Sequence, residues 1–308
     1  MANHHALSRR AVLGGALALT ATPALAQFSL PFGKGGGLDL GRMFSGVQNL
    51  FQGMNLGEED EIRMGNAYFD NFVARSGGPY RNRMAQSAIA QFADPILRTT
   101  TRPQLPWQFV LLNDDTVNAW ALPGGKLGIN KGLVRYCDDP SELAAVIAHE
   151  VGHAELSHAL AQMRSEAFTK GLTQVGREVI SSRVSGAGGI LTGAVLDALQ
   201  EPIYAMVTSG YSQSNEYAAD EHILQVFDMA GYDPTKVTRF YHTMLQVVPQ
   251  GAEGTTSLFA SHPGTRDRIA RLEQAAARHK APSHAAAARG WTELKAVFPT
   301  RRVYRRTA

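Results

Sequence analysis

Two histidines separated by three residues constrain the centre of this chain more than any other feature. His149 and His153 flank Glu150 in a His-Glu-x-x-His pattern, and the apolar run 143–148 before them predicts a helix. Four residues advance a helix by about 400°, so both imidazoles point from the same face. Two such nitrogens can bind one Zn²⁺, and the adjacent Glu150 carboxylate can take a proton from a metal-bound water. The alternative is a solvated helix face that carries these three residues by chance.

This helix has a clear predicted start. Asp139 is the expected N-cap, Pro140 the first helical residue, and Glu142 the third-position partner of a capping box. Only Gly152 interrupts the pattern, so the sequence predicts a helix that continues to about Lys170. A glycine inside a helix costs about 1 kcal/mol relative to alanine, which close approach of another segment at Gly152 would explain.

A catalytic zinc needs a third protein ligand, and the sequence offers one on a separate predicted helix. Glu216 is the best candidate, and Asp220 shares its face one turn later. The Asp220 carboxylate can accept a hydrogen bond from the second nitrogen of a metal-binding histidine. His262 precedes a proline at the entry to another helix. It could stabilise the tetrahedral oxyanion, bind the zinc as a fourth ligand that blocks the water, or simply cap the helix.

Three other histidines are not expected to bind the metal. His158 follows His149 by nine residues, which is about 180° around a continuous helix, so we predict a structural role facing away from the site. His222 lies on the wrong side of its helix relative to Asp220, and His242 has no partner that the sequence reveals.

Three strands are predicted before the metal helix, at 107–112, 117–122 and 126–130. The last two form a hairpin whose exposed edge could hydrogen-bond an extended peptide. We place this substrate-binding edge at Leu127, Gly128, Ile129 and Asn130. The alternative is a hairpin that only covers the core.

The N-terminus has the features of an export signal. Paired Arg9 and Arg10 precede an apolar run that ends in a small-residue cleavage site at Ala26, which is typical of a twin-arginine signal and too short for a membrane span. We therefore expect a periplasmic protein. Loss of residues 1–26 lowers the net charge from +3 to +1, so the bulk charge does not favour a nucleic-acid partner. The single cysteine, Cys137, allows no intramolecular disulfide.

Composition divides the remaining chain into three parts. The predicted parts are a flexible Gly-rich lead-in at 27–57, one domain at 58–280, and a linker, short helix and basic tail at 281–308. For the basic tail, a solvated end is favoured over a peripheral membrane contact.

Residues 171–210 are rich in small and apolar residues, but Asp197 and Glu201 argue against a membrane span. A mobile lid over the cleft is one interpretation, and a packed helix pair is the one we favour. The elements together predict a mainly α fold (α+β) with a small sheet.

Four blocks of the sequence, in order, carry a resemblance to a known family. They are 118–125, 149–153, 216–220 and 261–263. The chain resembles the zinc metallopeptidases that include HtpX and the CAAX prenyl endopeptidase. The resemblance implies a zincin-like, gluzincin-type domain whose His-Glu-x-x-His helix lies beneath a small sheet at the cleft.

The resemblance also implies roles for individual residues. His149, His153 and Glu216 would bind one Zn²⁺, with Glu150 as general base. Asp220 would support a ligand, and His262 would act at the cleft. Family members often have an arginine at the position of Arg268, but the sequence does not reveal its role.

The implied activity is hydrolysis of peptide bonds. The chain shows neither the transmembrane helices of HtpX-type members nor the helical repeats of some periplasmic relatives, so it is most similar to a small periplasmic peptidase. The expected substrates are misfolded or unassembled envelope proteins. The alternative is a periplasmic chaperone or assembly factor that uses the same cleft without obligatory cleavage.

Overall fold

Helices dominate the chain, as the sequence predicts. The structure is a computed structural model that describes residues 56–164, 193–247, 257–263, 265–280, 282 and 284–300. The predicted signal, nearly all of the Gly-rich lead-in and the basic tail lie outside the described residues. The described helices are α1 (Glu58–Arg75), α2 (Arg83–Leu97), α3 (Lys131–Val134), α4 (Pro140–Glu155), α5 (His158–Met163), α6 (Gly193–Ser209), α7 (Gln213–Ala230), α8 (Arg239–Val247), α9 (Ser257–Ser261), α10 (Thr265–Ala276) and α11 (Trp291–Val297).

Three short strands form one mixed sheet. They are β1 (Gln108–Leu112), β2 (Ala119–Leu122) and β3 (Lys126–Asn130), in the order β1-β3-β2. β3 pairs antiparallel with β2 and parallel with β1. A mainly helical fold with a small sheet is therefore confirmed.

The sheet order contradicts the predicted substrate-binding edge. Leu127, Gly128, Ile129 and Asn130 belong to the central strand, whose two sides are both paired, and all four residues are buried. The prediction that they form a free edge is wrong. A hairpin seen in sequence leaves both outer sides open, and only the tertiary structure places β1 against β3.

In the described sheet, β2 is an edge strand, and the backbone groups on its outer side pair with no other strand. The Asn130 N–H donates to the Asn118 carbonyl at 3.0 Å, which sets the register of the hairpin. Alternation in an antiparallel pair then directs the peptide groups of Ala119 and Ala121 outward, away from β3.

The opposite edge of the sheet, at β1, is occupied. The Tyr80 N–H donates to the Leu111 carbonyl at 2.8 Å. The Gln86 side-chain amide also donates to that carbonyl at 2.7 Å and accepts from the Leu111 N–H at 3.0 Å. A peptide that adds to this sheet would therefore add at β2.

α4 is the central helix of the domain, and its residues 141–154 are all buried. Its start agrees with the prediction in that the Asp139 carboxylate accepts from the Ser141 N–H at 2.9 Å. Glu142 does not complete a capping box with Asp139, because it accepts from the Asp138 N–H instead. A helix that is enclosed on every side can hold its side chains in fixed positions.

The prediction that this helix continues to Lys170 is wrong, because α4 ends at Glu155. Ser157 adopts the left-handed conformation, with φ 54° and ψ 35°, and α5 begins immediately afterwards. Non-glycine residues rarely adopt this conformation, so no local signal announces the turn. The Arg102 guanidinium stabilises it from outside the helix, donating to the Ala154 carbonyl at 3.2 Å and to the Ser157 hydroxyl at 2.9 Å.

Gly152 lies where a second helix, α7, crosses α4. This close approach is the expected reason for a glycine inside a helix. A Cβ atom at Gly152 would lie 3.1 Å from Cγ of His222 on α7. His222 Nδ1 lies 2.9 Å from the Ala148 carbonyl oxygen. The glycine therefore permits close packing between the two helices that carry the predicted metal ligands.

α6 packs against the domain through Leu199, Ile203 and Met206, which are buried. For the described part of 171–210 this agrees with the packed helix that we favour over a mobile lid. Within the described ranges, the structure has no helix long and apolar enough to cross a membrane.

The terminal helix α11 packs into the core of the domain, although the sequence places it beyond the domain boundary. Leu294 and Phe298 are fully buried. The Phe298 ring lies 5.2 Å from that of Tyr80, between ring centroids.

Replacing Phe298 by alanine should therefore lower the free energy of unfolding by about 3–5 kcal/mol, because it leaves a cavity in the main core. Chemical denaturation of the purified protein measures this change. Thr292→Ala on the exposed side of the same helix is the control and should change little. A loss below about 0.5 kcal/mol for Phe298→Ala would show that α11 does not contribute to the core.

Candidate metal centre

The structure brings four predicted site residues into one buried cluster. His149 and His153 extend from α4, Glu216 from α7, and His262 from the segment after α9. One ligand atom from each residue lies within 4.8 Å of all the others. All four side chains are buried.

The distances within the predicted ligand set fit a small tetrahedral metal ion. His149 Nε2 lies 3.1 Å from His153 Nε2 and 3.3 Å from Glu216 Oε2. His153 Nε2 lies 3.5 Å from Glu216 Oε1. Ligands at 2.0–2.1 Å from a tetrahedral zinc are separated by about 3.3–3.4 Å. These three side chains could therefore hold one metal ion with little rearrangement.

His262 lies both beside the ligands and beside the predicted general base. Its Nδ1 is 3.2 Å from His149 Nε2 and 3.2 Å from Glu216 Oε2. Its Nε2 is 3.2 Å from Glu150 Oε1. The ring therefore faces the cluster, which a role in helix capping alone would not require. Both of the other predicted roles, fourth ligand and oxyanion stabiliser, are compatible with this position.

Asp220 lies beside the second nitrogen of His149, where its predicted role would place it. Its Oδ1 lies 3.1 Å from His149 Nδ1. A carboxylate at that nitrogen favours a proton on Nδ1, which leaves the Nε2 lone pair directed at the cluster. Burial alone would raise the pKa of Asp220, but Arg268 and His149 lower it below its ordinary value.

Arg268 is the site residue whose role the sequence did not reveal. Its Nε and Nη2 donate to the two oxygens of Asp220 at 2.8 and 2.7 Å. Its Nη1 lies 2.5 Å from Glu216 Oε2. The buried guanidinium of Arg268 thus links helix α10 to the two carboxylates on helix α7. The only sequence signal was its place shortly after the His-Pro pair.

The electrostatics of the cluster favour a charged carboxylate and a neutral imidazole. Burial raises the pKa of Glu216, but His262 and His149 together lower it far below its ordinary value. Burial, followed by repulsion from His149, lowers the pKa of His153 well below its ordinary value. A metal requires these protonation states of Glu216 and His153. At His149 the direction is opposite, because burial lowers the pKa but Asp220 and Glu216 raise it above its ordinary value. Burial opposes charge on His262, but Glu216 and Glu150 raise its pKa to about 10.

His158 does not face away from the site, and that prediction is wrong. Because α4 ends early, the chain reverses and places His158 Nδ1 at 2.9 Å from His153 Nδ1. Burial and repulsion from His149 lower the pKa of His158 to about 4. It lies outside the four-residue cluster that could hold the metal. Tyr211, which no sequence motif marks, stacks on the face of the His153 ring with 4.3 Å between ring centroids.

The other two histidines that were not expected to bind the metal pair with glutamates elsewhere. His222 Nε2 lies 3.1 Å from Glu155 Oε2, on the side of α4 away from the cluster. His242 Nε2 lies 2.6 Å from Glu273 Oε1 at the surface. Neither contributes to the group that could hold a metal.

A helical domain with a buried His-Glu-x-x-His helix, and with a carboxylate supplied by a second helix, defines a metalloendopeptidase. Comparison with known proteins identifies the family. The chain belongs to peptidase family M48, whose family model matches residues 79–276. The resemblance seen in the sequence is confirmed.

Several characterised relatives carry peptidase names. The beta-barrel assembly-enhancing protease of Yersinia pestis is 30% identical over 192 residues, which cover 61% of this chain and 38% of that protein. The mitochondrial metalloendopeptidase OMA1 of Schizosaccharomyces pombe is 27% identical over 60% of this chain and 51% of its own length. The metalloprotease YcaL of Escherichia coli is 27% identical over 75% of this chain and 86% of its own length. The chain thus spans less than half of the assembly-enhancing protease that it matches.

Replacing Arg268 by methionine should lower the free energy of unfolding by about 3–5 kcal/mol, because two buried carboxylates lose their shared cation. Denaturant unfolding in the presence of a chelator measures this without a contribution from metal binding. Arg271→Met is the matched control, since Arg271 forms an exposed pair with Glu221 on the same two helices and should cost at most about 1 kcal/mol. Equal effects of the two substitutions would contradict the proposed role of Arg268.

Proposed function

We propose that this chain is a zinc-dependent endopeptidase that hydrolyses peptide bonds of misfolded or unassembled envelope proteins in the periplasm. The observation that carries the proposal is the position of Glu150 between two metal-binding histidines, with Glu216 closing the ligand set. Imidazole nitrogens and one carboxylate oxygen at tetrahedral spacing suit zinc better than magnesium or calcium, which prefer oxygen ligands.

Bound zinc would supply a Lewis acid for the scissile carbonyl and would lower the pKa of a water molecule. Glu150 would accept the proton of the attacking water and deliver it to the leaving amine. Its carboxylate is buried, and Oε1 lies 3.2 Å from His262 Nε2. The Asp220 contact would keep the His149 ring oriented while the proton moves.

The outer side of β2 is the proposed binding edge for substrate, in place of Leu127–Asn130. Ala119 and Ala121 direct their peptide groups to this side. The Tyr211 hydroxyl lies 3.5 Å from the Ala121 carbonyl oxygen, and its ring stacks on His153. The β2 edge therefore runs beside the ligand cluster. An extended peptide bound mainly through its backbone would be selected with little regard to sequence, which suits unfolded chains.

Two observations support an envelope location and substrate. The first is the twin-arginine-like sequence of residues 1–26. The second is the similarity to proteins named for enhancing beta-barrel assembly. The proposed function involves neither a nucleic-acid partner nor a transmembrane span of this chain.

Replacing Glu150 by glutamine should reduce casein cleavage by at least about 10²-fold while the protein still binds zinc, because the amide cannot act as a base. Initial cleavage rates and metal content of the purified chain measure the two effects. Glu221→Gln at an exposed position on α7 is the matched control and should leave both unchanged.

Proteolysis retained by Glu150→Gln would contradict this mechanism. The same variant tests the chaperone alternative. If the chain acts without cleavage, Glu150→Gln should keep an aggregating client protein soluble as well as wild type does in a light-scattering assay.

Replacing His262 by alanine should lower the rate of casein cleavage by about 10²–10³-fold, because Glu216 and Glu150 favour a protonated ring that can donate to the oxyanion. Rates measured at equal zinc occupancy test this. A higher rate would instead show that His262 acts as a fourth ligand that excludes water, since its ring also lies beside two ligands.

A further inference from the structure

The two predicted metal-binding histidines of α4 contact different kinds of group through their second ring nitrogen. His149 Nδ1 lies 3.1 Å from a carboxylate oxygen of Asp220. His153 Nδ1 lies 2.9 Å from Nδ1 of another imidazole, His158. Carboxylates, backbone carbonyls and water are the usual partners at this position, so an imidazole is an uncommon choice.

The proton in this second contact can be assigned if His153 binds the metal through Nε2, as proposed above. Its Nε2 then carries a free lone pair, so the neutral ring holds its proton on Nδ1. Two nitrogens 2.9 Å apart can share only one proton between them. His153 is therefore the donor and His158 the acceptor, and neutral His158 holds its own proton on Nε2.

The turn after α4 is what places this acceptor. In a continuous helix, His158 would lie about 180° from His149 around the axis. The left-handed Ser157 reverses the chain, and Arg102 donates to the Ser157 hydroxyl at 2.9 Å. Glu155, the last residue of α4, accepts from the Thr101 N–H at 2.9 Å. The turn is thus held by two adjacent residues, Thr101 and Arg102, of the loop between α2 and β1.

A neutral acceptor suits the charge of this site. Glu216 and Glu150 already place two buried carboxylates next to the histidines, and Asp220 adds a third that is compensated by Arg268. Another carboxylate at position 158 would add an uncompensated buried charge. An imidazole supplies the hydrogen-bond acceptor without that charge.

We propose that His158 is a positioning residue for the metal centre. It accepts the Nδ1–H of His153 and so fixes the tautomer and the ring rotation of that ligand, as Asp220 does for His149. This proposal rests on the metal ligation proposed above.

Zinc affinity of the full chain, measured by competition with a chelating dye, tests this role. His158→Phe keeps a ring but removes the acceptor, and it should weaken zinc binding by about 10–100-fold. His158→Asn places an amide oxygen near the position of Nδ1 and should recover most of that loss.

His222→Asn is the matched control. His222 is a buried histidine that also contacts α4, but its ring nitrogens face the Ala148 carbonyl and the Glu155 carboxylate rather than a predicted metal ligand. This variant should lower the thermal unfolding midpoint and leave zinc affinity unchanged. An equal loss of affinity in His222→Asn and His158→Phe would mean that packing alone is responsible, and it would overturn the proposal.

A second measurement needs no substitution. Nitrogen-15 NMR of the zinc-loaded wild-type chain should show His158 protonated on Nε2 and unprotonated on Nδ1. A proton on Nδ1 of His158 would overturn the proposal even if His158→Phe fails to fold. A wild-type chain that binds no zinc would overturn the proposed function itself. Normal zinc affinity in a folded His158→Phe variant would overturn only the role of His158.

Discussion

The structure depends on how two carboxylates are tolerated inside the domain. Glu216 and Asp220 lie one turn apart on α7, and both are buried against α4. Removing such groups from water costs several kcal/mol each unless they are paired and hydrogen-bonded. Here one guanidinium, from Arg268, contacts both carboxylates, and His149 contacts each of them as well. The packing of α4, α7 and α10 is therefore inseparable from the metal centre.

This arrangement also explains why the site is so enclosed. Every side chain in the cluster is almost completely buried, and the Tyr211 ring covers one side of His153. Low solvent access strengthens each electrostatic contact. Burial keeps His153 neutral, whereas the contacts with His262 and His149 keep Glu216 charged against the effect of burial. The same enclosure limits the contact of the ligands with bulk water in the described part of the chain. In the proposed function, the substrate would approach them along β2, next to Tyr211.

Local pattern was a good guide to the elements and to most of the site. The strand Lys126–Asn130 has the predicted bounds, and the start of α4 at Pro140 follows from its N-cap. The His-Glu-x-x-His spacing and the one-turn spacing of the two acids on α7 both depend only on helix geometry. Those side chains meet in the structure because each pair lies on one buried face.

The sequence by itself determined which residues share a helix face, where the metal-binding helix α4 begins, and which donor atoms can bind a metal. Only the tertiary structure decided three other features. β1 pairs with β3, Ser157 ends α4, and Arg268 reaches back to the carboxylates of α7. The physical reason is the same in each case. Helix and strand periodicity arise from contacts between near neighbours, whereas these features depend on partners from distant parts of the chain. Arg102 at the Ser157 turn is one such partner, and no spacing within α4 could have revealed it.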